Sequence, residues 1–105
     1  MNVDKPLLIS GCPLCEVFLN PKENIHTKLY YPKSIDEVSE SEFVIIECSN
    51  CGVPMAVPRN HTAEQPHKEL WGKILRECRS QFGMRMRLRM RMRTIRDHQH
   101  LHLVK

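Results

Sequence analysis

Ten consecutive residues, Met84 to Arg93, alternate between apolar and arginine side chains. Met84, Met86, Leu88, Met90 and Met92 take the even positions; Arg85, Arg87, Arg89, Arg91 and Arg93 take the odd ones. A helix would scatter both sets around its circumference. An extended strand sends alternate side chains to opposite faces, so this segment predicts a strand whose apolar face is packed and whose arginines meet water or a ligand. The segment His98-Gln99-His100-Leu101-His102-Leu103-Val104 alternates again, but with the parity reversed: the histidines are even and the leucines odd. One straight strand would have to change its buried face between the two segments. The spacing therefore predicts a hairpin that turns around Thr94–Asp97, in preference to a single bulged strand.

The rest of the chain reads as punctuated short elements. Residues 1–11 form a lead-in, Cys12-Pro13-Leu14-Cys15 a tight turn, and Asn20–Asn24 a loop. Ile25–Tyr31 and Phe43–Cys48 have strand composition. The acidic segment Asp36–Glu42 joins them, with a helical turn. After the turn Cys48-Ser49-Asn50-Cys51-Gly52, Val53–Val57 predicts a short returning strand, with Pro54 near an end because it lacks an N–H. The main helix is predicted over Ala63–Phe82, with Thr62 as N-cap and Gln65 as its capping-box partner. Leu70, Trp71, Ile74, Leu75, Cys78 and Phe82 recur at helical spacing on one face, and Gly83 suits the position past the end. The fold class expected is α+β: an antiparallel sheet with one main amphipathic helix, in a single domain spanning residues 1–105.

Four of the five cysteines form two Cys-x-x-Cys pairs, Cys12/Cys15 and Cys48/Cys51. A two-residue gap lets both sulfurs of a pair point at one centre, and two pairs supply the four thiolates that tetrahedral Zn²⁺ prefers. A structural zinc on Cys12, Cys15, Cys48 and Cys51 is the expectation, with knuckles at 12–15 and 48–51; disulfide or redox pairs are its rival. Such a staple suits a small domain. Cys78, on the apolar helix face, reads as core.

Charge is unevenly distributed. Residues 1–83 carry a formal −2 and residues 84–105 a formal +6, within a net +4. A basic C-terminal surface has phosphate as its natural counterpart, in a nucleotide or a nucleic acid, with a solvated sheet face as the plain alternative. No apolar run approaches the roughly 20 residues of a membrane span, and no secretory signal is evident, so the expected compartment is the cytoplasm.

The histidine strand resembles the signature of the histidine triad nucleotide-binding family, in which three histidines alternate with apolar residues; Gln99 departs from it at the first apolar position. Gly52-Val53-Pro54-Met55-Ala56-Val57-Pro58-Arg59-Asn60-His61 is similar to the family's segment before its main helix, and Cys12–Cys15 to its frequent N-terminal pair. The resemblance extends from about Cys12 to Val104. It implies an α+β fold, commonly a homodimer, acting as a nucleotide hydrolase or nucleotidyl transferase at the α-phosphate through a covalent nucleotidyl-histidine. The nucleophile would be His100, flanked by His98 and His102. Some members complete a zinc site with histidines, so a mixed site of Cys12, Cys15, one of Cys48 or Cys51, and His98 or His102 stands beside the four-cysteine site. The family's Gly-rich phosphate loop is replaced here by Arg91–Asp97, which holds neither Gly nor Gln. Arg93 and Arg96 are then the candidate phosphate ligands.

The expected partner is a nucleotide or nucleotide conjugate. The alternative is a non-catalytic, zinc-ribbon-like module whose arginine strand binds nucleic acid. A third reading has the three histidines hold a second metal that activates water.

Overall fold

The computed structural model describes residues 12–48, 52–59, 67–90, 98 and 100–104. The chain is α+β. Five strands make one sheet, every neighbouring pair antiparallel: β1 (Leu29–Tyr31), β2 (Phe43–Glu47), β3 (Pro54–Pro58), β4 (Arg87–Met90) and β5 (Leu101–Val104). Their order across the sheet is β1-β2-β3-β5-β4, which leaves β4 at an edge and β5 between β3 and β4. The expected pairing of the arginine and histidine segments is present: Leu88 faces Leu103 and Arg89 faces His102. The expected turn at Thr94–Asp97 lies outside the described residues.

The sheet is covered on both faces because its central strands are apolar on both. Val44, Ile46, Met55 and Val57 point to one side, where they pack against Leu14, Val17 and Phe18 of α1 (Pro13–Leu19) and against Val38. Val38 belongs to a 3₁₀ helix, Ile35–Glu40, started by the Ser34 hydroxyl, which accepts the Asp36 N–H at 3.2 Å. Phe43, Ile45, Ala56, Leu101 and Leu103 point to the other side, against Leu70, Ile74 and Cys78 of α3 (Lys68–Phe82). Met86 and Leu88 join this second cluster, but the expected strand is regular only from Arg87, and Met84, in the turn after α3, is 74% exposed instead of packed. Trp71 is half-buried against the same cluster.

Several boundaries differ from the sequence expectation. Cys12–Cys15 is the start of a helix and not an isolated turn: Cys12 is the N-cap and Pro13 occupies the first helical position, where a missing N–H costs nothing. Leu14, Val17 and Phe18 then lie on one face at spacings of three and four. The expected loop after it contains a further single turn, α2 (Pro21–Asn24). The strand expected from Ile25 is regular only from Leu29. The main helix begins at Lys68 and not at Ala63. His67 is extended and is the N-cap, its ring Nδ1 accepting the Leu70 N–H at 3.3 Å. The expected cap, Thr62 with Gln65, lies outside the described residues. Gly83 ends the helix with φ +103°, a conformation open to glycine.

Candidate metal centre and histidine strand

The first turn of α1, the connection between β2 and β3, and the histidines at and just before β5 bring the site together. At the start of α1 the N-cap residue and the third helical residue lie side by side, so Cys12 and Cys15 present their sulfurs at the same end. Cys15 is fully buried. Between β2 and β3 the chain reverses tightly. The Cys48 N–H donates to the Val53 carbonyl at 2.8 Å, and the Gly52 N–H to the Cys48 carbonyl at 2.9 Å. Gly52 has φ +75°, the dihedral that a turn of this tightness requires.

His98 reaches the first pair. Its Nδ1 lies 3.3 Å from Cys15 Sγ and 3.7 Å from Cys12 Sγ. The three ligand atoms all fall within 4.8 Å of one another and are positioned to hold a metal ion. The other ring nitrogen, Nε2, lies 2.7 Å from the carbonyl oxygen of Pro58. A carbonyl can only accept, so the proton sits on Nε2 and the Nδ1 lone pair is directed at the sulfurs. An outer hydrogen bond of this kind orients a ligating imidazole and fixes its tautomer. His98 is 0% exposed, and both its ring nitrogens are engaged.

His100, two residues along, is held differently. Its Nδ1 lies 3.0 Å from the carbonyl oxygen of His98. By the same logic Nδ1 carries the proton and Nε2 keeps its lone pair. His100 is 6% exposed, and its ring meets that of His102 edge to face, centroids 5.6 Å apart. His102 Nε2 lies 3.4 Å from Cys48 Sγ.

The described residues account for the expected site in part. Cys12, Cys15 and His98 cluster; Cys48 sits against His102; Cys51, Arg93, Arg96 and His61 lie outside the described residues. Arg59, in the segment that resembles the family's pre-helix strand, faces elsewhere. Its Nη1 donates to the carbonyls of Ser39 and Ser41, and its guanidinium covers the Phe18 ring at 5.8 Å. His67 caps α3, and His26 is exposed.

Arg89 was not singled out by the sequence. It faces His102 across the β4–β5 pair, and directly opposed residues in an antiparallel pair project to the same face. Arg87 shares that face, opposite Val104. Both arginines are exposed. The alternation made each a member of an arginine row, but only the cross-strand register brings the row beside the histidines.

Cys78 is no part of this. It is buried under α3, and burial pushes its thiol up to about 11, with Glu77 adding to the shift. It remains a neutral, unreactive thiol at physiological pH.

No family model, curated protein or solved structure matches the chain. Among the described residues, no helix is long and apolar enough to cross a membrane.

Proposed function

We propose that the chain is a zinc-stapled domain of the histidine triad type that hydrolyses or transfers nucleotidyl groups at the α-phosphate, with His100 as nucleophile. One observation carries this reading: His100 Nδ1 lies 3.0 Å from the His98 carbonyl oxygen, which places the proton on Nδ1 and leaves the lone pair on Nε2. A neutral imidazole with its tautomer fixed is a competent nucleophile near pH 7.

The metal fits zinc. With Zn–S of about 2.3 Å and Zn–N of about 2.0–2.1 Å, tetrahedral geometry separates sulfur from nitrogen by about 3.5 Å. The His98 contacts of 3.3 and 3.7 Å bracket that value. Thiolate with imidazole is also a donor set that suits zinc. Bound there, the ion would cross-link α1 to the start of β5 and supply no chemistry of its own.

Catalysis then belongs to the chain. His100 Nε2 attacks the α-phosphorus with its lone pair. A P–N bond forms, and the bond to the leaving group breaks with its electron pair; the leaving group takes a proton from solvent as needed. Water next attacks the nucleotidyl-histidine, the P–N bond returns its pair to Nε2, and the proton lost by water goes to solvent. Net, one water is consumed and a nucleoside monophosphate is released; an alcohol or amine in place of water gives transfer. Arg89, with His102 beside it, offsets the phosphoryl charge. His98, ligated and buried, acts as a support.

The test is turnover by zinc-loaded protein on a panel of adenosine and guanosine phosphoramidates and dinucleoside polyphosphates, against His100→Ala. Release of nucleoside monophosphate that disappears in the variant is the expected result. Folded, zinc-loaded protein without turnover on any member would overturn the reading and favour the non-catalytic nucleic-acid module.

A further inference from the structure

We infer that the Arg87/Arg89 face of β4 is a track for the phosphates of a single-stranded polynucleotide, one end of which is delivered to His100. The inference rests on the catalytic reading of His100 and names the class of substrate that the site is shaped to take.

Three observations carry it. The first is position. Following the sheet face away from His100, one meets His102 with Arg89 opposite, and then Val104 with Arg87 opposite. The arginines begin opposite His102, two residues from the proposed nucleophile, and run away from it along the sheet edge. The second is spacing. Alternate residues on a strand stand about 6.6–6.8 Å apart. Phosphates along an extended single strand repeat at a similar interval, whereas the phosphates of one nucleotide lie much closer together. A lone triphosphate would satisfy Arg89 and leave Arg87 idle; a polynucleotide engages both. The third is chemical character. Met84–Arg93 contains no acidic residue to neutralise the row, and no aromatic residue to stack a base. Arg87 and Arg89 are exposed, while their apolar neighbours Met86 and Leu88 face α3. Recognition on this face is therefore of backbone charge, indifferent to base.

Reversible binding and turnover separate the two claims. Binding is read by the anisotropy of a short fluorescein-labelled oligothymidylate, titrated with zinc-loaded protein at several salt concentrations. The expected result is saturable binding that weakens steeply with salt. Arg87→Gln/Arg89→Gln should bind at least about tenfold more weakly and lower the log–log salt slope by about 1.4, the loss expected for two phosphate contacts on a single strand. Arg87→Lys/Arg89→Lys, which keeps the charge, should restore most of the slope. Turnover is read with oligothymidylate bearing a 5′-phosphoramidate, compared with thymidine 5′-phosphoramidate. The oligomer should show at least about tenfold higher kcat/KM at low salt, and the glutamine pair should abolish that preference.

Absence of binding at low salt, or binding unchanged in the glutamine pair, overturns the track. If mononucleotide turnover nonetheless requires His100, the catalytic reading survives that failure. Arginine-dependent binding without turnover on either substrate leaves the track in place and removes the enzyme.

Discussion

The Nδ1 of His100 lies 3.0 Å from the carbonyl oxygen of His98, a residue whose own side chain is turned to two cysteine sulfurs. The backbone of one histidine thus sets the tautomer of the next, while the ring of the first is held from two sides, by sulfur at Nδ1 and by the Pro58 carbonyl at Nε2. Under the proposed function, the candidate metal site and the geometry of the nucleophile are linked through a single residue.

That link separates His98 from His100 by experiment. His98→Asn should lower zinc content and thermal stability together, and should cost turnover because the carbonyl under His100 is no longer held. His100→Asn should keep its zinc and its melting temperature while turnover falls by at least about 10³-fold. Metal analysis beside thermal denaturation and nucleoside monophosphate release distinguishes the two. Equal zinc in both variants would remove His98 from the metal site.

Chelation should destabilise the protein, because a metal bound only by the folded chain adds its binding free energy to folding. Competition by a strong chelator should shift the urea midpoint downward. Restoring zinc should recover it.

Gly52→Ala tests the turn that carries Cys48. Among the described residues, a Cβ there would meet nothing closer than a Glu47 carboxylate oxygen at 4.0 Å, so the penalty is set by the backbone conformation. At φ +75° alanine should cost on the order of 1 kcal/mol, measurable as a shift in denaturation midpoint at constant m-value.

The helix-facing core rests on Ile74, which is fully buried against Phe43, Ile45 and Leu101. Ile74→Ala should cost about 2–5 kcal/mol through lost transfer energy and a residual cavity. Zinc-loaded protein is the right material for this measurement, since metal loss would mask it.

Cys78 gives the fold a defined alkaline limit. Its thiol ordinarily ionises near 9.0, and burial raises it to about 11 in the folded chain. Above the lower value the unfolded chain loses this proton while the folded chain keeps it, so the unfolded state binds fewer protons and stability falls as pH rises. The contribution is fully present below about pH 9 and is lost on the way to about pH 11. In Cys78→Ala the decline across that window should be shallower than in the parent; identical slopes would place the alkaline sensitivity elsewhere.

How much of this was written in the sequence varies with the range of the signal. The alternation at Met84–Arg93 and the reversed parity of the histidines carried enough periods to specify two strands and their pairing. The six apolar positions of α3 and Gly83 specified a helix face and its end. Shorter signals were less legible. Leu14, Val17 and Phe18 mark only two turns, and the cysteines flanking Leu14 draw attention to metal chemistry before helix periodicity. Thr62 and Gln65 match a capping box, yet His67 is the N-cap and the helix starts five residues on, at Lys68. The assembly of Cys12, Cys15 and His98 was within the mixed-site alternative, but nothing local distinguishes His98 from His102. Register decides that, as it decides that Arg89 stands beside the histidines, and register depends on strands that are distant in sequence.

The contact between Cys12 and His98 spans 86 positions. During synthesis the two thiols emerge well before their imidazole partner, so no partial chain that ends before His98 can assemble the three-ligand cluster. Closing so long a loop comes only after the sheet has brought β5 next to β3. A metal ion held by this three-ligand cluster would therefore lock a topology already reached.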